Sequence, residues 1–138
     1  MKKILVIVLL SLLVGSCEEW TPEYRIINSW KLNKACLNGQ EIAADSTSVH
    51  ANRSGAFYTF FSDPVMEVTV LINGTTKDSY RGNYSLGKKG KKLYVDFLLA
   101  GRAYKYTADI KKLTKDELKY EYKDEGGDLW RLEFYSYY

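Results

Sequence analysis

The chain has 138 residues with a formal net charge of +3 and 46% hydrophobic residues. That length carries one domain able to bury a real core. The nearly balanced charge excludes the basic field that nucleic acid binding requires, and nothing in the composition calls for a cofactor.

The N-terminus reads as a secretory signal. Lys2 and Lys3 form a short basic region, Ile4 to Val14 an almost unbroken apolar run, and Gly15-Ser16 two small residues before Cys17. The run holds about eleven residues, well under the ~20 that cross a hydrocarbon core as a helix. Val14-Gly15-Ser16-Cys17 resembles the lipobox of bacterial lipoproteins, in which the cysteine sulfur takes a diacylglyceryl group before cleavage and the new amino group is then acylated. The expected division is a signal peptide at 1–16, a lipid-anchored tether at 17–25 and a domain at 26–138. Removing 16 of 138 residues leaves 122, and losing two lysines takes the charge from +3 to +1. Several acyl chains, at ~0.8 kcal/mol per buried methylene, hold a small protein firmly on a membrane. The partner implied is therefore the outer membrane, with the domain on its periplasmic or its outer face. Glu18 and Glu19 resemble the export signal of surface lipoproteins in Bacteroidota. Cys36 is left without a disulfide partner, as a small packed residue or a reactive thiol.

From Ile26 onward the pattern has period two. Trp130-Arg131-Leu132-Glu133-Phe134 and Leu118-Lys119-Tyr120-Glu121-Tyr122-Lys123 alternate strictly between apolar and charged residues, as strands with one wet face do. Similar runs cover 26–34, 56–61, 65–72, 79–86, 92–99 and 102–112. These make about eight strands, with 37–42 a short ninth. Asn38-Gly39, Asn73-Gly74, Gly87 to Gly90, Ala100-Gly101 and Gly126-Gly127 supply turn chemistry between them. Leu113 to Leu118 fits one helical turn or a plain β-turn. Residues 43–55 form a long polar loop, of a length that often serves as a lid or binding element. Strands this short and evenly spaced make a barrel or a sandwich.

Ile26-Ile27-Asn28-Ser29-Trp30-Lys31-Leu32, followed by Asn38-Gly39, looks like the opening of lipocalin-like domains in Bacteroidota lipoproteins. Tyr58 to Asp63, Gly82-Asn83-Tyr84-Ser85-Leu86 and Leu113-Thr114-Lys115-Asp116-Glu117-Leu118 resemble later blocks of that family. The resemblance spans about residues 26–136 and implies an all-β, eight-stranded antiparallel up-and-down barrel. It also implies that Trp30 packs across the barrel floor, with a basic residue of the last strand over it. Arg131 is the only basic residue there, but alternation puts it on the face opposite Trp130, Leu132 and Phe134, which is the solvated side.

Catalytic chemistry finds little support. His50 is the single histidine, in the polar loop, without neighbours at metal-ligand spacing. Asp45, five residues away, would have to orient it for Ser-His-Asp chemistry, so no enzyme and no metal site are expected. The lysines of 88–92 could meet phosphate or headgroups, or simply solubilise a hairpin tip.

The chain has twelve tyrosines. Parity turns Tyr58, Tyr80, Tyr84, Tyr104 and Tyr106 inward with Phe60, Met66, Val68, Val70, Val95 and Phe97. Of these, Tyr58, Phe60, Met66, Tyr80, Tyr84, Phe97, Tyr104 and Tyr106 are the expected lining of a ligand pocket with an apolar body and polar tips. A filled barrel with its hydroxyls at the rims satisfies the same pattern. Tyr135, Tyr137 and Tyr138 are expected to be exposed, as an interaction surface. Two functions remain: binding of a small apolar or amphipathic ligand inside the barrel, or a ligand-free adaptor docking on other envelope proteins.

Overall fold

The computed structural model describes residues 21–42, 56–72, 76–99 and 102–137. Cys17, His50, the loop at 43–55 and the Asn73-Gly74 and Ala100-Gly101 turns lie outside them.

The chain enters through a short helix, α1 (Pro22–Ile26). Thr21 caps it, its hydroxyl accepting from the Tyr24 N–H at 3.4 Å, and Pro22 occupies the first turn, where its missing donor costs nothing. Sequence reasoning placed residues 22–25 in the tether and Ile26 at the start of the first strand; the structure joins them in this helix, with Ile26 fully buried.

The strands follow as β1 (Asn28–Leu37), β2 (Gln40–Glu41), β3 (Ala56–Phe60), β4 (Val65–Ile72), β5 (Thr76–Gly87), β6 (Lys92–Leu99), β7 (Arg102–Leu113), β8 (Glu117–Lys123) and β9 (Leu129–Ser136). Each pairs antiparallel with its neighbour, and β1 also pairs with β9. That last ladder closes β1 and β3 to β9 into an eight-stranded barrel, while the two-residue β2 hangs on the end of β1. Closure removes the exposed edges an open sheet would present.

Turn chemistry sets the register. Asn38 and Gly39 both take positive φ, +51° and +85°, so Leu37 and Gln40 pair across a two-residue type I′ hairpin. The 113–118 segment is a turn rather than a helix: the Thr114 hydroxyl accepts from the Glu117 N–H at 3.0 Å, and the Thr114 N–H donates to the Glu117 carbonyl at 2.9 Å. Bulges near Asn33 in β1 and Lys111 in β7 shift the register by one residue, which lets Leu32 and Ala35 both face inward.

Gly82 is fixed by close approach. A Cβ there would collide with the Asp96 carbonyl and with Cα and Cβ of Phe97, its partner on β6. Backbone cannot yield as a flexible side chain does. Gly82→Ala is therefore expected to destabilise by about 1–3 kcal/mol through overpacking, seen as a lower urea midpoint; an unchanged midpoint would mean that β5 and β6 can part without cost.

Candidate functional site

One end of the barrel is closed. Trp30 is 0% exposed, and its indole N–H donates to the Ile26 carbonyl at 3.1 Å, which ties the floor to α1. Arg25 reaches across to the Leu113 carbonyl. Asn28 donates to the Ser136 hydroxyl at 2.9 Å and joins β1 to the end of β9. Arg131 lies on the outer face, as alternation requires, donating to Glu121 through Nε at 2.8 Å and again through Nη2. Cys36 is a buried free thiol opposite Glu41 and Arg131.

Above the floor, aromatic rings fill the interior. Tyr58 lies 4.9 Å from Phe134, Phe134 lies 5.5 Å from Tyr120, and Tyr106 stacks on Tyr122 at 3.7 Å with 10° between the ring planes. The Tyr106 and Tyr120 hydroxyls meet at 2.8 Å, so these buried phenols satisfy one another. Burial pushes the phenols of Tyr58, Tyr106, Tyr120 and Tyr122 above their ordinary range, because a phenolate could not be solvated there. Tyr84 donates to the Phe61 carbonyl, and its phenol is raised by burial and then by Asp63.

At the far end, the β1–β2 and β8–β9 turns lock together. Asn38 accepts from the Leu129 N–H and donates to Asp128, both at 2.9 Å. Asp124 accepts from the Trp130 indole at 3.0 Å and from the Asp128 N–H at 2.9 Å. The β7–β8 ladder stops at Asp109 and Glu121, although β7 begins at Arg102. Where β7 and the β8–β9 turn diverge, an open groove of about 460 Å³ runs onto the β5–β6–β7 wall. Its walls are the exposed Asn83, Ser85, Tyr94, Asp96, Lys105 and Thr107. Tyr84, Val95 and Tyr106 form the row between them, and Lys123, Asp124 and Glu125 close one end.

Of the eight residues expected to line a pocket, only Tyr84 and Tyr106 reach this groove. Tyr58, Phe60, Met66 and Phe97 are packed core, each no more than 2% exposed. Tyr104 is half-buried and stacks on Phe97 at 5.3 Å, and the half-buried Tyr80 pairs with Val68. The groove's polar walls were missed because their parity marks them as ordinary solvent-facing residues. Among the described residues, no group of three or more His, Cys, Asp or Glu is placed to hold a metal ion.

No family model matches this chain, and no curated protein matches it either. Solved structures do. The crystal structure of a lipocalin-like protein from Bacteroides uniformis superposes with a TM-score of 0.58 at 16% identity, covering 82% of this chain and 99% of that one. The fold is lipocalin-like. An uncharacterized protein from Bacteroides eggerthii is similar too, with a TM-score of 0.53 and 12% identity over 81% of this chain and 99% of its own. The lipocalin-like barrel of this chain thus has a sealed floor under Trp30, a phenol-filled interior and a groove on its wall.

Proposed function

We propose that the protein is a lipid-anchored, non-catalytic binding protein of the outer membrane that takes a small amphipathic ligand in the groove between β7 and the β8–β9 turn. The groove carries this reading. Its volume of about 460 Å³ falls within the ~300–1,000 Å³ of small-molecule sites, and it joins the exposed Tyr94 ring to Lys105 and Lys123, which suit an amphipathic ligand better than a wholly apolar one.

Thermal melting of the protein with a panel of fatty acids, sterols and aromatic dyes tests it. At least one compound should raise the melting temperature, and Tyr94→Ala, an exposed wall residue, should reduce that shift with little change in the unliganded melt. A shift that Tyr94→Ala leaves untouched would reject the groove. The filled interior favours a second reading, a ligand-free adaptor docking on envelope proteins through its outer surface; no shift with any compound would put that reading in front.

A further inference from the structure

The contacts that close the barrel also fix where the N-terminal segment leaves it. Gly90, at φ +79°, lies so close to Pro22 that a Cβ there would collide with the proline ring. The basic turn 88–91 is therefore held beside the first residue of α1. Lys88, Lys89 and Lys91 are exposed, while Lys92 pairs with Asp109.

The same end carries exposed apolar surface. Among the described residues eight large apolar side chains are exposed, and five of them, Tyr24, Ile27, Phe61, Tyr135 and Tyr137, lie on α1 or at the adjoining ends of β1, β3 and β9. Tyr137 meets Phe57 edge-on at 4.8 Å, and the Lys31 ammonium sits 5.9 Å from the Phe57 and Tyr135 rings.

Cys17 stands four residues before Thr21, so even a fully extended tether reaches only about 14 Å, under two Debye lengths of ~8–10 Å. Acyl chains on Cys17 would hold this end of the barrel against the membrane and leave the groove facing away. Tyrosines favour the membrane interface, and lysines near it are drawn to anionic headgroups. Glu18, Glu19 and Glu23 oppose that attraction, and because the lysine contact is electrostatic it depends on lipid charge and weakens with salt.

We propose that the α1 end of the barrel is a bilayer-docking surface, in which Lys88, Lys89 and Lys91 meet anionic lipid headgroups while Tyr24 and Tyr137 enter the interfacial layer. The proposal rests on lipid anchoring at Cys17.

The test reconstitutes the full lipidated chain into phosphatidylcholine vesicles with and without phosphatidylglycerol, floats them, and measures lysine acylation and tyrosine oxidation residue by residue against the same chain in detergent. In the anionic vesicles Lys88, Lys89 and Lys91 should each acylate about fivefold more slowly, and Tyr24 and Tyr137 should be protected, while Lys105 and Lys123 react as in detergent. Lys88→Asn with Lys89→Asn and Lys91→Gln should remove the tyrosine protection and leave flotation intact. Flotation with uniform labelling, or equal lysine protection in both vesicle types, overturns the docking surface and leaves the anchor standing. Protection that rises with protein concentration in detergent assigns the face to a second copy of the chain and overturns it too. A chain that floats no better than its Cys17→Ser variant overturns anchor and docking together.

Discussion

Trp30→Ala is expected to cost about 3–5 kcal/mol, the range for deleting a buried large ring. The indole is fully buried on β1 between Tyr58 of β3 and Ser136 of β9, so its removal opens a cavity that rigid ladders on both sides cannot collapse. The change also deletes the hydrogen bond to the Ile26 carbonyl and loosens α1 from the floor. Against a typical total of about 5–15 kcal/mol for a domain of this size, the variant should melt far below the native protein or fail to accumulate. Urea denaturation followed by far-UV circular dichroism measures it. A midpoint within error of native would mean that the floor is not sealed by this residue.

Alkaline unfolding should be equally pronounced. Tyr58, Tyr106 and Tyr120 are buried and hold their protons well above the ordinary phenol range, whereas the unfolded chain releases them near pH 10. Below pH 10 both states keep the protons, and the stabilisation is fully present. Above it the unfolded state binds fewer protons than the folded one, so stability falls with pH. Each phenol contributes a slope of about 1.4 kcal/mol per pH unit, and the three together about 4. The barrel should therefore unfold cooperatively within about two to three pH units above 10, with phenolate absorbance at 295 nm rising together with loss of far-UV signal. Non-cooperative ionisation near pH 10 of all the tyrosines, with the sheet intact, would contradict the buried cluster.

Much of this fold is legible in the sequence because parity and turn chemistry are local. Strict alternation around Leu132 and Tyr120 places those side chains inward, and Asn38-Gly39 dictates its hairpin. The same parity puts Arg131 outside, where it pairs with Glu121, against the inward basic residue that the family resemblance implies. Five residues of α1 are too short to show a helical period, although Thr21-Pro22 carries an N-cap and first-turn signature. Parity says which face a side chain takes but not what it meets across the barrel. The stack of Tyr106 on Tyr122 joins strands whose ladder has already ended, and no spacing along the chain encodes it. For the same reason Tyr58, Phe60, Met66 and Phe97 read as pocket lining when they are core. The groove was hidden because outward residues of three strands make its walls, and it opens where β7 outruns β8.

The central claim, that this lipocalin-like barrel carries a small amphipathic molecule, is tested most directly by native mass spectrometry of the chain purified from its own host. The account predicts a species heavier than the protein alone by the mass of one small molecule, released on mild activation and reduced in Tyr94→Ala. A spectrum holding only the protein without an added small molecule, under conditions that keep the barrel folded, would contradict it.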